Sequence, residues 1–173
     1  MMTVQMIADK HPLIVKNMVW PDEAATQSFA QSLARKPAID RALIELQGDL
    51  GAGKTTFARH LLKSMGVEGR IKSPTYAVVE AYTVAAPALE SGHNPVVSIW
   101  HFDFYRFNDP REWEEAGFRE LFASPGLKLV EWPKKASGHL PQPDLVIDID
   151  MLANESRSIT LKAYTPTGAE LLA

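Results

Sequence analysis

Gly48-Asp-Leu-Gly-Ala-Gly-Lys-Thr55 decides how this chain folds. The octapeptide matches G-x-x-x-x-G-K-[ST], the pattern of a phosphate-binding loop. Glycines let the backbone curl so that successive N–H groups point inward at phosphate oxygens. A helix that begins at the loop's end adds partial positive charge. Lys54 is placed to reach the β- and γ-phosphates, and the Thr55 hydroxyl to ligate Mg²⁺.

The flanks agree with that reading. Residues 42–47 (ALIELQ) are apolar enough for a short strand. Residues 54–65 carry Phe57, Leu61 and Met65 on one helical stripe, with Ala58 and Leu62 beside it and Gly66 as the stop. Upstream, 13–19 reads as a strand and 22–35 as a helix, with Ala25, Phe29 and Leu33 at four-residue spacing. Arg35–Arg41 reads as a polar linker. Downstream, strands are expected at 76–84, 96–102 and 127–131, with a loop over Ala85–Pro95. Asp109-Pro110-Arg111-Glu112 has the form of a helix start, followed by a stop near Gly117 and a short amphipathic piece at Phe118–Phe122. Pro133, Pro141 and Pro143 bracket an exposed loop. Residues 145–150 and 157–164 alternate as half-exposed strands, and a weakly ordered tail is expected from about residue 165. This order predicts an α/β fold: a three-layer sandwich of the P-loop NTPase type, with a mostly parallel central sheet and antiparallel additions.

Composition bounds the function classes. With 173 residues, one domain is expected over 1–173. Hydrophobic residues at 46% and charged residues at 23% exclude a disordered or collagen-like chain. The absence of cysteine removes disulfides, thiolate metal sites and a cysteine nucleophile, and fits a cytoplasmic chain. No apolar run approaches the roughly 20 residues that span a bilayer, so no membrane association is expected. The first 20 residues lack the layout of a signal peptide. A net charge of −3 argues against a chain that holds RNA unaided.

A phosphate-loop enzyme needs an acidic group at the end of a neighbouring apolar strand. Two candidates stand there, Asp103 after Val96–Phe102 and Glu131 after Leu127–Val130. Alternation along His101-Phe-Asp-Phe-Tyr-Arg106 puts His101, Asp103 and Tyr105 on one side and the two phenylalanines on the other. Asp103 is suited to Mg²⁺ or to an attacking water, whereas His101 fits equally a polar residue at a core edge. Ser73-Pro-Thr-Tyr76 reads in two ways: a hydroxyl that approaches a γ-phosphate, as switch segments do, or a turn that leads into a strand. Trp132 beside Glu131 fits either stacking or packing. Lys134, Lys135 and Arg157 are candidate nucleotide neighbours or solvated cations. Lys54, Arg59, Lys63, Arg70 and Lys72 face only Glu68, which reads mainly as a solvated basic helix face.

Taken together and in order, GDLGAGKTTFAR (48–59), KSPTYAVVEAY (72–82), HFDFYR (101–106), DPREWEEAGF (109–118) and LVEWP (129–133) resemble the bacterial TsaE (YjeE) ATPases over about residues 20–165. The resemblance implies an ATP- and Mg²⁺-dependent ATPase. Such proteins are needed for N6-threonylcarbamoyladenosine next to the anticodon of tRNAs reading ANN codons. They work with TsaB- and TsaD-like partners, so tRNA is met only through the complex. By motif, Leu50, Gly51, Ala52, Gly53, Lys54, Thr55 and Thr56 would wrap the phosphates. Thr55, Glu131 and Asp103 would serve the metal, Asp103 alternatively the water, and Thr75 would sit near the γ-phosphate, giving Lys54, Thr75, Asp103 and Glu131 the catalytic roles. Trp132 and Lys134 would lie beside the nucleotide. Glu23, Thr26 and Arg157 would lie on the adenine side. A small-molecule kinase of the same superfamily is the alternative, but no arginine-rich lid is visible. A GTP switch lacks its Asn-Lys-x-Asp segment, and a non-enzymatic interaction module is the last alternative.

Overall fold

The computed structural model describes residues 11–86, 95–109 and 111–173. Seven strands form one sheet: β1 (Ile14–Trp20), β2 (Leu43–Gln47), β3 (Val79–Ala85), β4 (Val96–Asp103), β5 (Leu127–Glu131), β6 (Leu145–Met151) and β7 (Arg157–Ala163). Their order is β1-β7-β6-β2-β5-β4-β3. The neighbours β6, β2, β5 and β4 are parallel, while β7, β1 and β3 pair antiparallel at the two flanks. The expected parallel centre with antiparallel additions is therefore the observed architecture.

Helix α1 (Glu23–Ala34) starts because the Asp22 carboxylate accepts the Ala25 N–H at 2.9 Å. Helix α2 (Lys54–Ser64) ends in a Schellman motif, with Val67 N–H donating to the Leu62 carbonyl and Gly66 N–H to that of Lys63. Together they cover one sheet face. Leu33, Phe57, Leu61 and Leu62 bury against Ile44, Leu46, Leu129 and Ile147. The other face is covered at β4–β5 by α3 (Arg111–Glu115) and α4 (Phe118–Ala123). There Phe104, Phe107, Trp113 and Phe118 close over Phe102, Val130 and Leu43. Phe102 and Phe104 both point into this cluster, as the alternation predicts. Gly126 lets β5 enter beside β4: at φ +135° a Cβ would lie 2.3 Å from the Ser98 carbonyl oxygen.

Four segments differ from the expectation. Residues 165–173 are no loose tail. Thr165 caps helix α5 (Pro166–Leu171) by accepting the Gly168 N–H, and Leu171 and Leu172 bury against the main core. The linker after α1 forms a 3₁₀ turn, Pro37–Arg41, that buries Ala38 and Ile39. The strand expected from Tyr76 begins only at Val79, because Val78 N–H donates to the Pro74 carbonyl and ties 74–78 into a turn. A second 3₁₀ turn, Pro133–Ala136, buries Pro133 and Ala136 inside the loop expected to be exposed. Most of the loop expected over Ala85–Pro95, and Pro110 at the expected helix start, lie outside the described residues. Among the described residues no helix is long and apolar enough to cross a membrane.

Candidate functional site

The parallel register of β4 and β5 pairs Asp103 with Glu131, so the two acidic strand ends lie side by side. Both open toward the glycine-rich loop between β2 and α2, at the carboxyl edge of the sheet where α/β folds bind ligands. The loop is pinned from below: a Cβ on Gly48 would stand 2.4 Å from the Ile149 carbonyl oxygen of β6. Gly53 occupies the N-cap of α2, so no capping side chain covers the N–H groups of the first turn.

A cleft of about 260 Å³ joins these parts. It is lined by Leu50, Gly51, Gly53, Lys54, Thr55, Thr56, Ser73, Thr75, Asp103, Tyr105, Glu131 and Trp132. Lys54 is buried, and its ammonium donates to the carbonyls of Gly48 at 2.6 Å and Asp49 at 2.9 Å. It also lies 4.2 Å from the centre of the Trp132 ring, a cation–π contact. Burial pushes its pKa down, and the nearby Glu131, Asp103 and Asp49 carboxylates oppose that shift.

Glu131 is buried and held at both oxygens. Oε1 accepts the Thr55 hydroxyl at 2.8 Å, and Oε2 meets His101 Nε2 at 2.6 Å. Asp103 accepts the Tyr105 N–H at Oδ1 (2.9 Å) and the Thr75 hydroxyl at Oδ2 (3.1 Å). Thr75 is bonded in turn to Ser73 at 2.8 Å. Burial raises the Asp103 pKa, the Tyr105 amide lowers it, and the neighbouring Glu131 raises it again. The donors brought together are a hydroxyl and two carboxylates, all oxygen. That set fits Mg²⁺, which takes one or two carboxylates and completes its shell with waters and phosphate oxygens. Among the described residues no group of three or more His, Cys, Asp or Glu gathers as an all-protein metal cage.

A second pocket of about 140 Å³ lies on the other side of the loop and shares Gly53 and Thr56 with the first. Trp20, Asp22, Glu23, Thr26, Ala52, Glu155 and Arg157 line the rest of it. Arg157 Nε donates to the Ala52 carbonyl at 2.6 Å, and Glu23 bonds His60 at 2.9 Å. Thus Glu23 and Thr26 of α1 and Arg157, remote from them in sequence, gather at one pocket. Lys134 does not join either group. It lines a neighbouring groove with Gln47, Gly48, Asp49, Asp148 and Asp150, which shares Trp132 with the first cleft.

The sequence does not single out Trp20 and Asp22, which line the second pocket, nor the bond from His101 to Glu131. His101 shares the Asp103 face of β4, which was the available signal, but its partner lies 30 residues away. Tyr105 reaches the cleft by another route than strand alternation. The strand ends at Asp103, and Tyr105 turns onto Trp132 with ring centres 4.9 Å apart.

The family described as "Threonylcarbamoyl adenosine biosynthesis protein TsaE" matches residues 20–159 of this sequence. The chain belongs to the TsaE family. The tRNA threonylcarbamoyladenosine biosynthesis protein TsaE of Haemophilus influenzae is 37% identical over 156 residues, 88% of this chain and 92% of that protein. The TsaE protein of Bacillus subtilis is 31% identical, over 86% of this chain and 87% of its own length. A solved crystal structure, of YdiB from Bacillus subtilis, superposes with a TM-score of 0.69 at 28% identity and covers 92% of this chain and 93% of that one. The family match takes in the glycine-rich loop, Thr75, Asp103 and Glu131 alike.

Proposed function

We propose that this TsaE-family chain is a Mg²⁺-dependent ATPase of the cytoplasm. In this reading it serves formation of threonylcarbamoyladenosine in ANN-reading tRNAs, together with TsaB- and TsaD-like partners. One observation carries the reading: Thr55, at the start of α2, and Glu131, at the end of a strand remote in the chain, meet at 2.8 Å beside a glycine-rich loop. Asp103, beside Glu131 in register, and Thr75, bonded to Asp103, line the same cleft.

In this reading the backbone N–H groups from Leu50 to Thr56 and the Lys54 ammonium hold the phosphates. Lys54 is already anchored to the loop by two carbonyls, so little ordering remains when a phosphate arrives. Thr55 and Glu131 would hold Mg²⁺, which when bound neutralises charge on the phosphate oxygens. Asp103, made more basic by burial, orients the water that attacks the γ-phosphorus, and Thr75 fixes the Asp103 carboxylate. Glu23, Thr26 and Arg157 border the base pocket.

The test is phosphate release from ATP by the purified chain, alone and with its TsaB- and TsaD-like partners. Stimulation by the partners is expected, with the rate abolished in Lys54→Ala and Glu131→Ala. A variant of either kind that keeps the full rate rejects the assignment.

A further inference from the structure

We infer that His101 is a positioning residue that makes Glu131 a one-oxygen metal ligand; this rests on the reading of Glu131 as a ligand of Mg²⁺. His101 is fully buried in β4, in register with Leu129 and two residue pairs back from the Asp103–Glu131 pair. Its Nε2 lies 2.6 Å from Glu131 Oε2. An ionised carboxylate only accepts, so the bond is assigned with the proton on Nε2. On the far side of the ring, Nδ1 is buried without a hydrogen-bond partner among the described residues. Among the described residues Glu131 is therefore the ring's single hydrogen-bond partner. For packing alone an apolar side chain would serve better at this position, since it would leave no buried nitrogen unpaired.

The consequence for Glu131 is geometric. A free carboxylate can rotate and offer a cation one oxygen or two. Here Oε2 is tied to an imidazole locked in the sheet, while Oε1 accepts from the Thr55 hydroxyl, itself a candidate metal ligand, so Oε1 is the oxygen fixed on the metal side. Mg²⁺ demands near-octahedral geometry, so presenting one fixed oxygen next to one hydroxyl favours it over a cation that accepts bidentate carboxylates. Partners that orient ligands in this way commonly set metal affinity by an order of magnitude or more.

The experiment titrates a non-hydrolysable ATP analogue into the full chain, once with Mg²⁺ and once with EDTA, and reads the ratio of the two affinities. In wild type Mg²⁺ tightens binding. A wild type with no such tightening rejects the parent reading, and this inference falls with it; a wild type that tightens leaves the His101 variants to decide the inference alone. His101→Met keeps the length and apolar packing but has no donor. It should lower the ratio by about tenfold or more while leaving the EDTA affinity unchanged. His101→Gln can still donate from the position of Nε2 and should keep most of the ratio. Should His101→Met lose binding in EDTA as well, His101→Asn replaces it as the variant too short to reach Glu131. The inference is overturned if the donor-less variant keeps the wild-type ratio, or if His101→Gln loses as much as it does.

Discussion

Glu45 lies on β2, the strand that leads into the glycine-rich loop, and it is only 8% exposed. Burial, together with the nearby Asp148, raises its pKa to about 7 from 4.5 against the opposing hydrogen bond of Gln47. A raised carboxyl binds more protons folded than unfolded between those two values. Its contribution to stability is therefore present below pH 4.5 and is lost as pH rises through about 7. The full shift corresponds to at most about 3 kcal/mol. Glu45→Gln mimics the protonated form at every pH. Denaturant unfolding should show the variant gaining on wild type from pH 5 to pH 8, and a gap that does not change with pH would refute this. Such residues mark the limit of sequence reading. Lys54, Thr55 and the two acidic strand ends were legible because a motif and strand polarity specify them locally. Glu45 reads as a polar residue on a strand, and only the register with β5 and β6 shows that it is enclosed. The His101–Glu131 bond was hidden for the same reason, since it joins two strands.

At the scale of elements, the loop–helix unit and the alternating strands could be read in advance, because each follows a single period. Helix α5 could not. It has six residues, too few to show a period, and its order comes from contacts. Thr165 accepts the Gly168 N–H at 3.1 Å and donates to Asp144 Oδ1 at 2.6 Å, while Asp144 Oδ2 accepts the Leu43 N–H. The cap thus ties the C-terminal helix to the start of β2, the strand that carries the glycine-rich loop. Thr165→Ala should lower unfolding stability by about 1 kcal/mol, as typical cap losses do, without changing nucleotide affinity. Urea unfolding and nucleotide titration check the two halves of that statement. A large fall in affinity would show that α5 shapes the site as well as the fold.

For the whole molecule, charge separates holding tRNA from acting in a tRNA pathway. The net charge is −3, with 18 basic against 21 acidic residues. Proteins that bind nucleic acid by themselves draw most of their affinity from phosphate neutralisation, which falls steeply with salt. Mobility-shift titration of the isolated chain should therefore find only weak tRNA binding at physiological salt. Specific binding that survives there would assign this chain a direct contact that its charge does not explain. In the proposed reading, the loop amides, Lys54, Thr55 and Glu131 enclose a triphosphate and its magnesium in the cleft. Crystals soaked with a non-hydrolysable ATP analogue and Mg²⁺ test it most directly. The account predicts the triphosphate against residues 50–56, with the metal on Thr55 and Glu131. A nucleotide bound elsewhere, or a metal held without Glu131, would contradict it.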